Sequence, residues 1–491
     1  MEGERVKIRL IEPANTPYRR SPLNLFVYDR HIRTPSQGLL TLSTIAKRMV
    51  DDTLMYSESI SKIVWDDVLD ADIVFLGVFT FNAQRGYELA ERIRRSGRAV
   101  VVIGGLHATL NPEEAARHCD CVLLGEGDET VPALIKAVRE GRPLDFPGVA
   151  RYEGERFFTT GRAPAPQDID TVPDRDLLYR FRKMAGHNTI WPQVHASRGC
   201  PHNCDYCALV AAFGRSVRTR SPEAVVRDIR EAIAFFETGH RRIARMLWIT
   251  DDNFFADRAW AVRVLRLIIS EKIQYSFTIQ ARYEVGFDDE MLDLLRQAGF
   301  SELAVGIEFL EDEAFQAYHK KSTYREILSA AENIRRHGLR VRGLFIVGAD
   351  SHTRGVGRRL ADFVIRHDIC GVLIQSMYFI PGTPVYETHK GSLIDENWSR
   401  CTGKVVHNPE HISACALQKE IILASRSIYS LPRLMDALLH KRGIERTLFL
   451  GEYFWQMSVR RELKRDLAYL HAHALPGPPE KTPCNLPRSS V

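Results

Sequence analysis

Three cysteines lie close together in the segment SRGCPHNCDYCA, residues 197–208. Cys200, Cys204 and Cys207 follow a C-x3-C-x2-C spacing, which makes three thiolates available on one short loop. Three such thiolates can ligate three irons of a cubane iron–sulfur cluster. The sequence has no fourth cysteine nearby and no second knuckle of the kind that completes a closed zinc site. The spacing therefore predicts a 4Fe–4S cluster with one iron open to a small-molecule ligand.

With Tyr206 directly before the last cysteine, this motif resembles that of the radical S-adenosylmethionine (SAM) superfamily. The resemblance implies that the amino and carboxylate groups of SAM chelate the open iron. It further implies that reductive cleavage of SAM yields a 5′-deoxyadenosyl radical, and that Tyr206 belongs to the SAM site. The competing interpretation is a surface loop with three incidental thiols, one of which could bind zinc.

The elements that would position this loop are strand–helix repeats that begin at about residue 191. Six strands are predicted, at 193–197, 245–250, 275–280, 303–308, 340–347 and 371–378. Helices are predicted between them, at 222–237, 259–271, 288–297, 324–337 and 355–367. Six such units form about three-quarters of a TIM-type barrel, whose chemistry lies at the carboxyl ends of the strands. The cysteine loop follows the first strand, so the cluster is expected on the catalytic face.

Polar residues at the later strand ends complete the predicted SAM site. Asp251 and Asp252 could orient a ribose or the substrate, although an aspartate at this position is also a common helix N-cap. Arg282 could pair with the SAM carboxylate through two hydrogen bonds. Gly306-Ile-Glu308 resembles the family's Gly-Ile-Glu-Ser element, with Phe309 in place of serine, and the loop beginning at Ile380 resembles the loop that holds adenine. The expected SAM residues are Tyr206, Asp252, Gln280, Arg282, Glu308 and Ile380, and no catalytic residue is assigned.

The first part of the chain predicts a different α/β unit. Short β-branched segments at 6–11, 73–78, 99–103 and 121–124 alternate with helical segments at 86–95, 112–117 and 130–139. This alternation favours a Rossmann-like (flavodoxin-like) open parallel sheet, whose ligands bind beyond the carboxyl ends of the strands. Glycines occur at those ends, as at Gly104 and Gly125.

These glycine loops resemble those of the cobalamin-binding domains that precede many radical SAM cores. The resemblance implies a cobalamin site lined by Thr80, Gly104, Gly105, His107, Thr109, Gly125 and Glu126. Ordinary turn glycines are the competing interpretation. Cobalamin mutases supply an imidazole to cobalt through Asp-x-His-x-x-Gly, whereas Asp29-Arg-His-Ile-Arg-Thr34 ends in threonine and lies far past the first strand. Either cobalamin binds without a protein imidazole, or the domain keeps the fold and has lost the cofactor.

Composition bounds the remaining expectations. The chain has 491 residues, a hydrophobic fraction of 45% and a net charge of +5. The mild charge excess gives no reason to expect nucleic acid. No apolar segment is long enough to span a bilayer, and the charged start does not resemble a signal peptide, so a cytoplasmic location is expected. The nine cysteines indicate metal ligation in a reducing compartment rather than a disulfide framework.

We therefore predict a sequence of domains with stated boundaries. A cobalamin-binding-type domain is expected at 1–150, a linker strap with a small hairpin at 151–190 and a radical SAM partial barrel at 191–390. A C-terminal helical cap is expected at 391–475, followed by a disordered tail at 476–491. Helices within the cap are predicted at 407–430, 431–442 and 451–471.

Two functions fit this order of domains. The first is a cobalamin-dependent radical SAM methyltransferase that acts on an unactivated carbon of a small-molecule or lipid-like metabolite. The alternative is a radical SAM cyclase, rearrangement or C–C coupling enzyme without methyl transfer. Both would need an external electron donor such as flavodoxin or ferredoxin. Transfer RNA methylthiolation is disfavoured, because the first domain has only Cys119 and Cys121 and no basic β-rich tail follows.

Overall fold

The structure, a computed structural model, describes residues 6–14, 34–183, 190–238, 245–394, 396–441 and 443–473, without the side chains of residues 443 and 444. Residues 15–33 lie outside these ranges, and with them the Asp29-Arg-His-Ile-Arg-Thr34 segment except Thr34. The tail predicted at 476–491 also lies outside them.

The first sheet contains seven strands in the order β2-β1-β3-β4-β5-β6-β7. Its strands are β1 (Lys7–Glu12), β2 (Asp52–Ser57), β3 (Ile73–Gly77), β4 (Val100–Gly104), β5 (Cys121–Leu123), β6 (Val149–Glu153) and β7 (Arg156–Thr159). The first five pair in parallel, whereas the β6–β7 hairpin pairs antiparallel with β5. The hairpin extends the sheet past residue 150, where the sequence places the end of the first domain.

Helices cover both faces of this sheet. They are α1 (Gln37–Lys47), α2 (Trp65–Leu69), α3 (Ala83–Arg94), α4 (Leu106–Leu110), α5 (Pro112–Ala116) and α6 (Gly127–Arg139). Leu39 and Leu134 bury one face in one apolar cluster, and Leu89 and Ala115 bury the other face in a second cluster. Burial on both sides explains the continuous apolar character of β3 and β4.

The second sheet has six parallel strands in the order β15-β14-β13-β12-β11-β8. These strands are β8 (Gln193–Val194), β11 (Met246–Ile249), β12 (Ser276–Ala281), β13 (Phe300–Glu308), β14 (Arg340–Val347) and β15 (Gly371–Ser376). Their order follows the chain, and among the described residues β8 and β15 do not pair with each other. The sheet is therefore an open, partial barrel, as predicted.

The predicted first barrel strand at 193–197 is divided in the structure. After β8 the chain turns, and β9 (Ser197–Arg198) pairs antiparallel with β10 (Arg218–Thr219). The cause is a side chain: the Ala196 N–H donates to the Asp251 carboxylate at 2.6 Å instead of to a neighbouring strand.

In the ranges that the structure describes, eight helices follow or connect the strands of the second sheet. They are α7 (Ala208–Phe213), α8 (Pro222–Glu237), α9 (Arg258–Ser270), α10 (Asp289–Gln297), α11 (Asp312–Ala317), α12 (Tyr324–Arg336), α13 (Val356–Arg366) and α14 (Pro384–His389). Several begin at side-chain caps, for example Ser221 before α8 and Asp257 before α9. Such caps satisfy backbone N–H groups that the helix itself leaves unpaired.

Three C-terminal helices pack against the far edge of this sheet. They are α15 (Ala414–Ile428), α16 (Leu431–His440) and α17 (Gly443–His473), and α17 begins earlier than the predicted residue 451. The Val372 N–H on edge strand β15 donates to the Tyr429 hydroxyl at 3.2 Å. Arg342 on β14 forms an ion pair with Glu452. These contacts place the helices on the barrel wall.

Candidate active site

The cysteine loop leaves β9 and ends at the start of α7. Its three thiols are half-buried and free of disulfide bonds. They are close enough to interact electrostatically with one another. The Leu209 and Val210 N–H groups at the start of α7 donate hydrogen bonds to the Cys207 thiol. Burial raises the pKa of Cys207 to about 11. Adjacent accessible thiols with backbone donors beside them fit the ligation of a cluster.

A single metal ion would need a tighter arrangement than this loop provides. Within the described ranges no three His, Cys, Asp or Glu side chains converge on one ion position. A cubane cluster spreads its cysteine ligands over separate irons.

The turn after β11 supports the cysteine loop from below. Asp251 accepts hydrogen bonds from the Ala196 N–H at 2.6 Å and the Ser197 hydroxyl at 2.5 Å. Asp252, predicted to contact SAM, accepts from the Gly199 N–H at 2.8 Å. The Asn253 amide lies 3.9 Å from Cys200 Sγ. Asp251 and Asp252 thus fix the backbone that leads into the first cysteine, and Asn253 lies beside its thiol.

The buried Asp251 carboxyl predicts a pH-dependent stability. Asp251 is 1% exposed, and burial raises its pKa from 3.8 to about 7. Ionisation of this carboxyl is therefore less favourable in the folded chain than in the unfolded chain. The contribution of Asp251 to the free energy of unfolding falls as the pH rises from about 4 to about 7 and stays low above pH 7. Asp251→Asn cannot ionise, and its oxygen can still accept the Ala196 N–H. We expect the free energy of unfolding of the variant, relative to that of the wild type, to rise by about 1–3 kcal/mol from pH 5 to pH 8.

Urea denaturation of the cluster-free protein at both pH values measures this difference. Asp170→Asn is the matched control, because Asp170 also accepts an N–H and a hydroxyl, from Ser221, but is less buried. If the free energy of unfolding changed equally with pH in Asp251→Asn and in the wild type, the raised pKa of Asp251 would be contradicted.

The fourth-strand element lies beside the cysteine loop. Glu308 has a left-handed backbone with φ 65° at an irregularity in the β13–β14 pairing. Its carboxylate is 3.4 Å from Lys320 Nζ. Burial lowers the pKa of Lys320, which also lies within electrostatic reach of Cys204 and Arg282. This part of the predicted SAM site therefore forms a charged cluster next to the thiols.

Other predicted SAM residues lie around this cluster. Arg282 donates to Glu284 at 2.7 Å and is within electrostatic reach of Cys200 and Cys204. Gln280 is exposed on β12. The Tyr206 ring contacts Phe309 edge-on with ring centres 6.1 Å apart. Phe309, which replaces the family's serine, is therefore a packing residue against the cysteine loop.

The loop after the sixth strand, β15, lies beside the cysteine loop. The Ile380 carbonyl accepts from the Thr383 hydroxyl at 2.7 Å. The Val385 N–H donates to the Asp205 carbonyl at 3.3 Å, which joins this loop to the cysteine loop. Gly382 lies beside Leu110, so the same loop also reaches the first domain.

The predicted cobalamin residues cluster at the carboxyl edge of the first sheet. Gly105 has φ 105°, and a Cβ there would lie 2.6 Å from the Val78 carbonyl oxygen, so no side chain fits. The Thr109 hydroxyl accepts from the Gly125 N–H at 3.0 Å, joining the loops after β4 and β5. Gly104 is half-buried beside Leu123. The loops after β3, β4 and β5 are therefore held close together at this edge, and Gly105 is needed because the Val78 backbone occupies the space that a side chain would take.

His107 is held in a different way from the loop residues. It is fully buried, with its ring nitrogens 3.2 Å from the Thr80 hydroxyl and 3.0 Å from the Tyr87 hydroxyl. Trp398 covers the ring at 5.7 Å and donates to Glu114 at 3.1 Å. Thr80 and His107 thus support the edge from within, and Trp398 connects it to the segment after the barrel.

Charged residues join the two sites. Arg198, two residues before the first cysteine, pairs with Glu126 at 2.6 Å and Asp128 at 2.7 Å. Arg218 on the neighbouring strand pairs with Glu126 at 2.5 Å. Glu126, predicted at the cobalamin site, therefore links the β5 loop directly to the cysteine loop.

Several of these residues carry no signal that sequence reasoning could have used. Lys320, Trp398 and Arg198 acquire their partners from distant parts of the chain. The sequence alone suggests that Asp251 and Asp252 orient a ribose or the substrate, or cap a helix. Their hydrogen bonds to the segment before the first cysteine depend on the tertiary structure.

No helix in the described part of the chain is long and apolar enough to cross a membrane.

Both the first domain and the partial barrel match known protein families. The Radical SAM superfamily matches residues 194–364, and the B12 binding domain matches residues 48–135. The bacteriochlorophyllide d C-8(2)-methyltransferase of Chlorobaculum tepidum is 27% identical over 339 residues, covering 67% of this chain and 71% of that protein. The hopanoid C-2 methylase of Rhodopseudomonas palustris is 24% identical over 461 residues, covering 88% and 81%.

A solved structure shows the same fold. The radical SAM methyltransferase TsrM from Kitasatospora setae, with cobalamin and a 4Fe–4S cluster bound, superposes with a TM-score of 0.67. Sequence identity is 15%, and the alignment covers 93% of this chain and 99% of that one. The predicted fold class is confirmed, as is the resemblance from which the cluster, SAM and cobalamin were inferred.

Proposed function

From a chain that carries a radical SAM domain behind a B12-binding domain, we propose a cobalamin-dependent radical SAM methyltransferase that acts on an unactivated carbon. The observation that carries the proposal is the pairing of Glu126 with Arg198 and Arg218. It brings the glycine-loop edge of the first sheet against the start of the cysteine loop. Methylation of a substrate carbon that one cofactor activates and the other methylates requires the two cofactor sites to lie close together.

In this proposal each group of residues has one task. Cys200, Cys204 and Cys207 hold the cluster. Tyr206, Asp252, Gln280, Arg282, Glu308 and Ile380 form the SAM pocket around it, with Asp252 acting through the Gly199 backbone. Gly104, Gly105, Thr109, Gly125 and Glu126 line the cobalamin edge, supported by Thr80 and His107. When bound, the cluster with SAM would supply a carbon-centred radical and cobalamin a methyl group.

The protein's own contribution is binding, orientation and the exclusion of water. The cysteine loop is held by Asp251 and Asp252 on one side and by the Val385 N–H on the other. A loop fixed at both ends keeps the SAM pocket in register with the first domain. Such preorganisation is the means by which a scaffold accelerates transfer between two bound groups.

The substrate class follows from the relatives. They include methyltransferases named for bacteriochlorophyllide d and for hopanoids. We extend this to a small-molecule or lipid-like substrate that offers an unactivated carbon. A flavodoxin or ferredoxin would supply the electrons.

Anaerobic reconstitution with iron, sulfide, cobalamin and SAM tests this function. Incubation with reductant is expected to form both 5′-deoxyadenosine and S-adenosylhomocysteine, because methylation consumes SAM in two ways. Cys204→Ala is the control that should form neither product above background. 5′-Deoxyadenosine without S-adenosylhomocysteine, in the presence of bound cobalamin, would instead indicate a cyclase, rearrangement or coupling enzyme.

A further inference from the structure

Residues 318–320 connect the cysteine loop to the end of β13. The Asp205 N–H donates to the backbone carbonyl of residue 318 at 3.3 Å, and the Asp205 carboxylate lies 2.7 Å from His319 Nδ1. On the other side, Lys320 Nζ donates to the Gly306 carbonyl at 2.6 Å. One short segment therefore contacts both the loop that carries the thiols and the strand end beside it.

Lys320 is a buried cation with few partners. It is 4% exposed, and its ammonium lies 3.4 Å from the Glu308 carboxylate in addition to the Gly306 carbonyl. An ammonium taken out of water is costly unless charge and hydrogen bonds replace its hydration. Glu308 and the carbonyl provide this replacement, so the position of Lys320 and that of the Glu308 carboxylate depend on each other.

The backbone of Glu308 needs such support. Its φ of 65° lies in the left-handed region, which a residue other than glycine occupies only when its surroundings hold it there. A Cβ at Gly306 would lie 2.6 Å from Glu308 Oε1, which shows that the Glu308 side chain folds back over the glycine. In this folded position the carboxylate faces Lys320.

We propose that Lys320 is a positioning residue that sets the affinity for SAM by holding the Glu308 carboxylate in place beside the cysteine loop. The inference rests on the proposed function, because it takes Glu308 as part of the SAM pocket. Lys320 itself acts through Glu308 rather than by touching SAM. Its loss should weaken SAM binding and leave the cluster ligands intact.

The test measures SAM binding to the reconstituted holoenzyme, with SAM itself as the probe. Iron and sulfide content and the electron paramagnetic resonance spectrum of the reduced cluster are recorded first. The spectrum is then titrated with SAM to obtain a dissociation constant. For Lys320→Met we expect wild-type iron content and a dissociation constant raised about tenfold or more, because a buried carboxylate loses its cation. Lys320→Arg keeps the charge and should recover part of the affinity.

Lys321→Met is the matched control, since Lys321 is the next residue in the chain and is exposed. It should bind SAM within about twofold of the wild type, well below the tenfold change that 1.4 kcal/mol represents. A double-mutant cycle separates positioning from direct contact. If Lys320 acts through Glu308, Glu308→Gln with Lys320→Met should bind SAM no more weakly than Glu308→Gln alone.

Three results would overturn the proposal. One is an unchanged SAM affinity in Lys320→Met, and another is an additive loss in the double variant. The third is loss of iron in both Lys320→Met and Lys320→Arg, which would make Lys320 a residue of the folded scaffold. A wild-type protein that holds the cluster but does not bind SAM would instead refute the proposed function.

Discussion

Replacing Cys204 by alanine is expected to reduce 5′-deoxyadenosine formation to background, a loss of about three orders of magnitude or more. That loss corresponds to roughly 4 kcal/mol of transition-state free energy. The reason is structural, because the loop offers one thiol for each of three irons and contains no fourth cysteine. Alanine at Cys200 or Cys207 should have the same effect.

Iron content and visible absorbance after anaerobic reconstitution provide a readout independent of turnover. Each of the three variants should retain less iron than the wild type, while the fold of the first domain is unaffected. Cys415→Ala is the control, because Cys415 is also half-buried but lies on α15, where it contacts His471. A full iron complement in the Cys204 variant would contradict ligation by this loop.

Replacing Gly199 by alanine is expected to prevent cluster assembly even though every cysteine remains. Gly199 has φ 92°, and a Cβ at this position would overlap the carbonyl oxygen of Ser216. The left-handed conformation alone costs a non-glycine residue about 1–2 kcal/mol. The steric overlap adds to this cost, because the carbonyl belongs to backbone that cannot rotate away. The loop would have to shift and lose the Gly199 N–H bond to Asp252.

Gly214→Ala separates the two causes. Gly214 has φ 77°, also in the left-handed region, but a Cβ there would meet nothing within 4 Å. It should therefore lose only the conformational part of the free energy and should still assemble the cluster. Iron content and thermal unfolding of both variants measure the difference. Similar behaviour of the two would show that the contact with Ser216 does not constrain the loop.

The barrel was the most predictable part of the fold. The predicted strand at 340–347 coincides with β14, and the one at 371–378 contains β15. Each contains a short apolar run, at residues 344–347 in β14 and 372–374 in β15, which is a local pattern of a buried strand. The cysteine motif was equally clear, because spacing alone defines it.

The features that could not be predicted from the sequence are those that tertiary contacts determine. Strand β2 (Asp52–Ser57) was not predicted, since its sequence DTLMYS mixes polar and apolar residues in an edge position beside β1. The division of the first barrel strand follows from Asp251, which is distant in sequence. Lys320 is one of two adjacent lysines before a helix, and nothing local distinguishes the buried one from the exposed one. Burial and partners are properties of the folded chain.

The contact of Trp398 with His107 and Glu114 has a consequence for engineering. The segment after the barrel returns to cover His107 and Glu114, so the amino-terminal module is not self-contained at the carboxyl edge of its sheet. In a chimaera that takes this module from a related enzyme, the residues at positions 107 and 114 would come from that enzyme, whereas Trp398 would come from this chain. The contacts between them would no longer be matched. Compatible exchange would require transplanting the tryptophan segment together with the module it covers.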